Sequence, residues 1–348
     1  MRILFVSTEA YLPEFFGGVE RSTDALAHAL MRRGVDVRLH VGVAYRKPGR
    51  WRWVMDALWR RFFGANRAPV ATSYLGYKVC RSLIAANTLR DHVLRYKPDH
   101  IILTGGDRAR LAAALEGLDV HVAAYIRDIG FIAKKENLIP FRHAALISNS
   151  HYTAGHIKKL TGRSSLVLPP SLHWRDYLVD NRTPTAVLFI NPKPEKGLAV
   201  ALACARSLPD IPFLIVEGWA LAKDERQSLE RDVAALPNVT LLPNQQDMRA
   251  VYRQAKILLV PTGTAPEAPM IETWGRVATE AQISGIPVIA SDEGGLPESV
   301  GDGGVLIDPG ATIEDWTQAI RKLWDTPDRL EALEMKAMAH SRGNLLDP

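Results

Sequence analysis

Two glutamates, Glu272 and Glu280, stand eight residues apart in the segment 266–298, PEAPMIETWGRVATEAQISGIPVIASDEGGLPE. Read as one helix, that spacing is about 12 Å of axial rise and roughly 80° of rotation, so both carboxylates reach one side at two depths. Glycoside hydrolysis needs a carboxyl pair about 5 to 10 Å apart across a single bond. The wider spacing suits a long polar ligand gripped at two points.

Such a ligand needs positive charge and backbone donors around it, and three further loops offer them. The loop after the first apolar run, Thr8 to Glu20, ends in Gly17-Gly18 before a helical pattern. Two adjacent glycines at a helix start let backbone N–H groups approach a phosphate; a simple turn is the plainer alternative. The loop is too long for a tight dinucleotide turn and is not G-x-G-x-x-G, which counts against an NAD enzyme. The segment Phe189 to Gly197 carries Asn191, Lys193 and Lys196 just ahead of another helix. Two lysines there form a candidate diphosphate clamp, with solvated side chains as the alternative. Arg127 follows the apolar run 121–126, at the end of a strand, where a surface ion pair with Asp128 would also account for it. His151 reads as a packed or exposed histidine rather than a catalytic one. No D-x-D, G-x-x-x-x-G-K-[ST], G-x-S-x-G or H-E-x-x-H occurs. A metal-free site is expected, with the charge on a leaving diphosphate met by Lys, Arg and N–H groups.

The elements that must position these loops alternate between short apolar runs and helical patterns, the mark of an α/β chain with parallel sheets. Six runs in the first half (ILFVS, DVRLHVGV, HIILTG, HVAAYI, AALISNS, SLVLPP) and six in the second (AVLFIN, FLIVEG, VTLLP, ILLVPT, PVIASD, GVLIDP) read as strands. The restart near Thr183 gives two Rossmann-like domains, about 1–170 and 171–329. Ligands of such sheets bind at the carboxyl ends of the strands. With 47% hydrophobic and 23% charged residues the composition is that of a soluble globular protein. Cys80 and Cys204 are the only cysteines, which disfavours a disulfide framework and fits a reducing cytoplasm. The chain enters a strand at once, with no signal-peptide pattern, and holds no apolar run of about 18 residues. Its net charge of +5 suits polyanionic partners such as phosphates or anionic lipid. Much of that excess lies in 46–67, where residues 50–63 pattern as a basic amphipathic helix with Trp51 and Trp59 on its apolar stripe. Such a helix can lie in a membrane interface or pack in the core.

The run Glu272-Thr273-Trp274-Gly275-Arg276-Val277-Ala278-Thr279-Glu280-Ala281, followed by Gly285-Ile286-Pro287-Val288-Ile289 and Gly294-Gly295-Leu296-Pro297-Glu298, resembles the family 4 retaining glycosyltransferases. Their E-x7-E motif is followed by the same G-x-P-V-I and G-G-x-x-E patterns. The likeness implies a GT-B fold, two Rossmann-like domains facing across a cleft, with a last helix (about 330–348) packing back on the first. It implies a nucleoside-diphosphate-sugar donor and no cofactor, metal or nucleic acid. Carried over, Glu272 contacts the donor sugar, Glu280 holds the ribose and Lys196 binds the diphosphate. Gly275, Gly294 and Gly295 line the donor pocket, while Gly17, Gly18 and Arg127 close on the donor from the first domain.

Three positions depart from the family pattern. Asn191 stands where an Arg is usual, with Lys193 a substitute for its charge. Arg127 replaces a frequent His, and Pro169-Pro170-Ser171 replaces a Pro-Asn-Gly-Val-Asp stretch. The resemblance implies sugar transfer to an unidentified glycan or lipid-linked acceptor, in polysaccharide, lipopolysaccharide or glycolipid synthesis, in the cytoplasm or at the inner face of a membrane. A GT-B-like nucleotide-sugar epimerase and a weakly active nucleotide-sugar-binding protein are the alternatives.

Overall fold

The computed structural model describes residues 1–43, 70–73, 75–132 and 143–343. The amphipathic segment 50–63 lies outside the described residues. The chain divides into two compact units, Met1–Leu172 and the residues from His173 on. That division falls two residues past the expected boundary.

Each unit is built on a sheet of short, almost wholly apolar strands, which are buried because helices cover parallel sheets on both faces. In the first unit these are β1 (Arg2–Ser7), β2 (Asp36–Val41), β3 (Val70–Thr72), β4 (Lys78–Arg81), β5 (His100–Gly105), β6 (His121–Ile126), β7 (Ala145–Ser148) and β8 (Leu166–Val167). Their order is β3-β4-β2-β1-β5-β6-β7-β8, parallel throughout except that β3 runs antiparallel to β4. The second unit holds β9 (Ala186–Ile190), β10 (Phe213–Val216), β11 (Val239–Leu242), β12 (Ala255–Val260), β13 (Val288–Ser291) and β14 (Gly304–Ile307). Their order is β11-β10-β9-β12-β13-β14, all parallel. All twelve expected runs are strands. The two that the sequence pattern hides are β3, only three residues long, and β4, Lys-Val-Cys-Arg, whose charged ends mask a buried centre.

In both sheets the order reverses at the first strand of the unit, between β1 and β5 and between β9 and β12. That reversal opens a crevice at the carboxyl ends, because the loops on either side leave in opposite directions. The loops that matter are therefore those after β1 and β5 and those after β9 and β12. Beneath the second sheet, Trp316, Phe189, Phe213 and Leu259 anchor one core. Leu4, Leu89, Leu103 and Leu146 belong to the core of the first unit. No helix of the described residues is long and apolar enough to cross a membrane.

The last helix, Pro327–Gly343, packs on the helix Arg276–Ile283 and the turn Gly301–Gly303 of its own unit. Its small buried side chains, Ala337 and Ser341, let it lie close there, with Ser341 Oγ donating to the Gln282 carbonyl at 3.3 Å. Glu334 also pairs with Arg182 at 2.5 Å. Residues 344–348 lie outside the described part.

The first unit buries two histidines against each other. His40 on β2 and His92 on the helix Ala85–Tyr96 meet through their Nδ1 atoms at 2.9 Å. His40 Nε2–H donates to the Ala85 carbonyl at 2.9 Å, so its Nδ1 must accept and His92 Nδ1–H must donate. That leaves His92 Nε2 to accept from the Cys80 thiol at 3.8 Å. Every atom of this chain has a role only while both rings are neutral. Burial pushes His40 down to about 4 and His92 to about 3. In the unfolded chain both titrate near 6.5, so as pH falls the unfolded state takes up protons first. The pair's stabilisation is complete above about pH 6.5 and is lost progressively towards pH 3 to 4. Urea unfolding should show a loss on the order of 3 kcal/mol between pH 6.5 and 4.5, reduced in the double variant His40→Leu, His92→Phe. Equal slopes for the two proteins would show that the histidines do not carry it.

Candidate functional site

The site of the second unit grows from the loop after β9. Asn191 ends the strand in a left-handed conformation (φ 72°), which a short polar side chain tolerates better than most. Its carbonyl accepts from Lys193 N–H at 2.7 Å, closing a turn. Its side-chain Oδ1 accepts from the Trp219 backbone N–H at 2.6 Å. From the far side, Asn244 Nδ2 donates to the Gly218 carbonyl at 2.6 Å, so the loop carrying Trp219 is held from two strand ends. A single 3-10 turn, Pro194–Lys196, then delivers Lys196 to the carboxyl edge of the sheet. The Lys196 ammonium is buried; it pairs with the Glu272 carboxylate and lies 4.8 Å from the Trp219 ring centroid. Lys193 does not join it. Its ammonium sits 2.9 Å from Glu225, which it holds below the usual carboxylate range.

Glu272 and Glu280 are not on one helix. The helix begins only at Arg276, after Gly275 takes a left-handed conformation (φ 84°). Glu272 lies in the preceding loop, and its carbonyl accepts from Gly295 N–H at 2.7 Å. Gly294 and Gly295 come so near that a Cβ on Gly294 would strike the Glu272 carbonyl oxygen, and one on Gly295 that of Thr273. Trp274 is buried, its Nε1–H bonded to Thr279 Oγ1 at 3.0 Å, which locks the loop onto the helix that follows. The helical rise and rotation inferred from spacing therefore do not apply. The loop places Glu272 and the helix places Glu280.

Glu280 sits in a compact polar cluster. Arg276, one turn earlier, approaches its Oε1 at 3.0 Å, and the Tyr252 hydroxyl donates to Oε2 at 3.2 Å. Arg276 Nη2–H also donates to the Tyr177 hydroxyl at 3.3 Å. Burial alone would lower the Arg276 value, but the Glu280 charge, its hydrogen bond and the Tyr177 and Tyr252 hydroxyls together outweigh it and raise it; burial, then Glu280, raises that of Tyr252. An (i, i+4) Arg–Glu pair was legible in the sequence, whereas Tyr177, Tyr252 and Trp219 carried no signal there.

Three buried polar atoms of this unit have no protein partner and lie at or just past strand ends: Glu217 Oε1 after β10, Thr262 Oγ1 after β12 and Ser291 Oγ ending β13. Buried polar groups are nearly always satisfied, so such a row along one edge marks a place for water or ligand.

In the first unit, Gly17 and Gly18 open the helix Gly18–Arg32. The buried Glu20 carboxyl group lies beside Gly17 at this helix start, and burial raises its pKa. A side-chain carboxyl group thus already occupies the helix start. Arg127 is buried as well, and burial pulls it down to about 10. It donates to the Val19 carbonyl (3.1 Å), Ser22 Oγ (3.2 Å) and Thr23 Oγ1 (3.0 Å) of that helix and to the Thr104 carbonyl of β5 (3.1 Å). Its guanidinium ties the helix to the sheet. Asp128 pairs with Arg108 at 3.0 Å. His151 is the exposed first residue of the helix His151–Thr161.

Residues 177–340 match the family described as Glycosyl transferases group 1. The D-inositol 3-phosphate glycosyltransferase of Mycobacterium sp. (strain KMS) is 36% identical over 148 residues, 40% of this chain and 32% of that protein. That of Segniliparus rotundus is 29% identical over 222 residues, 56% of this chain and 48% of its own. The chain thus spans a third to a half of these curated relatives. Anabaena HepE, solved in complex with UDP-glucose, superposes with a TM-score of 0.73 at 18% identity, covering 99% of this chain and 95% of that one. At that identity the likeness is one of fold, and it extends over both units.

The glycine contact under Glu272 can be tested directly. Gly295→Ala should lower unfolding stability by about 2 kcal/mol or more, as for an overpacked interior, because its methyl group meets backbone. A denaturant titration within about 0.5 kcal/mol of wild type, the range of a neutral surface change, would show that the loop yields without cost.

Proposed function

We propose, from the match of residues 177–340 to the group 1 glycosyl transferases, that this chain moves a sugar from a nucleoside-diphosphate sugar to an acceptor hydroxyl. The observation that carries the reading is the Lys196–Glu272 pair at the switch-point edge of the second sheet. A buried ammonium held by a carboxylate can exchange that partner for a diphosphate without ever being left uncompensated, which is the costly state. The released Glu272 carboxylate then accepts hydrogen bonds from sugar hydroxyls, while Glu280 takes the ribose. In the transfer, the bond from the anomeric carbon to the diphosphate oxygen breaks and the acceptor oxygen bonds on the same face. The acceptor proton passes to a leaving-phosphate oxygen. Lys196 and nearby N–H groups meet the charge that develops there. The anomeric configuration is retained, and no metal is required.

In this reading Gly17 and Gly18 belong to the acceptor side, and Arg127 positions their helix rather than touching substrate. Glu20 at the helix start favours a neutral hydroxyl over a phosphate there. The relatives are named for D-inositol 3-phosphate; the basic, Trp-rich segment 50–63 instead supports a lipid-linked acceptor at the inner face of a membrane. Asn191 motivates the second reading, a nucleotide-sugar-binding protein with little activity, because its side chain is spent on Trp219.

The purified chain, incubated with UDP-, GDP- and ADP-sugars and a lipid extract in the presence of EDTA, should release nucleoside diphosphate and form a product with the donor's anomeric configuration. Glu272→Ala should lose about 100-fold or more in turnover, as when a transition-state contact is removed, in a chain that still folds but is less stable by about 3 kcal/mol because the buried Lys196 ammonium has lost its partner. Near-wild-type turnover in that variant would overturn the role of Glu272. Nucleotide binding without release would favour the binding protein, and isomerised donor without release an epimerase.

A further inference from the structure

We infer that Arg276 is a positioning residue that makes the second unit selective for a ribonucleotide over a 2′-deoxyribonucleotide. The inference rests on the glycosyltransferase reading and deepens it at one subsite.

Stability does not explain Arg276. It is the first residue of its helix, where the helix dipole disfavours a positive charge. Its side chain is only 13% exposed and that of Glu280 11%. Burying such a pair generally gains nothing over well-packed apolar residues of similar volume. A charge placed against the dipole and taken out of water calls for another reason.

Geometry supplies one. An ionised carboxylate offers about four acceptor positions, two on each oxygen. Arg276 takes one on Oε1 (3.0 Å) and the Tyr252 hydroxyl takes one on Oε2 (3.2 Å). Each oxygen therefore keeps one position, and neither is free to rotate away. Two fixed acceptors side by side match the two O–H donors of a vicinal diol, and the 2′- and 3′-hydroxyls of a ribose form one. A 2′-deoxyribose leaves one acceptor unmatched. Arg276 is itself steadied by the Tyr177 hydroxyl at 3.3 Å, and the Tyr177 and Tyr252 rings pack edge to face at 6.3 Å. The group is thus braced on both sides, as a preorganised subsite needs.

The test is calorimetric titration of the whole chain with UDP, GDP and ADP and with their 2′-deoxy counterparts. Wild type should prefer the ribo form of its nucleotide by about 10-fold or more, the worth of one hydrogen bond to a charged group. In Arg276→Met the preference should fall below about 3-fold. Because both affinities are measured on one variant, a general loss of affinity cancels in the ratio. Arg276→Lys keeps a positive charge at this position and covers the case in which the Met variant does not fold. Its single ammonium cannot bridge Glu280 and Tyr177 as the guanidinium fork does, so its preference should also drop. Retention of the full ratio in either folded variant overturns the inference. So does an equal loss for ribo and deoxy forms, which would place Arg276 on the phosphates or in the fold. If wild type binds ribo and deoxy forms equally, this inference alone fails. If it binds none of the three diphosphates, the glycosyltransferase reading fails with it.

Discussion

Gly294 and Gly295 lie so close under the loop Glu272–Trp274 that a methyl group on either would strike a carbonyl oxygen. The hydrogen bond from Gly295 N–H to the Glu272 carbonyl completes that contact. Much of the candidate site depends on it. The backbone of Glu272 is held from below, so its carboxylate can meet Lys196 arriving from the loop after β9. The left-handed turn at Gly275 then starts the helix that carries Arg276 and Glu280. Residues from three separate strand ends are thereby registered against one another by backbone contact, which is less yielding than side-chain packing.

The electrostatics of the site follow the same economy. Lys196 with Glu272, Arg276 with Glu280 and Lys193 with Glu225 are each compensated within the second unit. A ligand bearing both negative charge and hydroxyl groups can exchange with such pairs and leave no ion unpaired. The unpartnered atoms of Glu217, Thr262 and Ser291 lie along the same edge. In the first unit the corresponding edge is arranged differently. Glu20 fills the helix start and Arg127 is consumed in holding the helix to β5.

How much of this was legible in the sequence differs by level. Apolar runs identified twelve strands because strands buried on both faces read as unbroken hydrophobic stretches. Val70–Thr72 and Lys78–Arg81 escaped because one is very short and the other has charged ends. The motif residues Lys196, Glu272 and Glu280 do gather in one unit. Their geometry could not be read from spacing, since a left-handed glycine at 275 turns an apparent helix into loop then helix. Arg127 shows the opposite failure: its place at a strand end was right, but nothing in the sequence revealed that Val19, Ser22, Thr23 and Thr104 would take up its donors. The last helix was assigned by analogy of fold, and its small buried residues Ala337 and Ser341 are what let it lie on the helix Arg276–Ile283 of the second unit.

The central claim is that Lys196 is the cation awaiting a diphosphate. Calorimetric titration of the cognate nucleoside diphosphate into wild type and into Lys196→Ala tests it most directly. Loss of one charge-assisted contact of about 1.5 to 3 kcal/mol should weaken binding by roughly 10- to 100-fold, in a variant that still folds, at a stability lowered by the unpaired Glu272 carboxylate. Equal affinity in the two proteins would contradict the account, because the buried ammonium would then serve only its bond to Glu272.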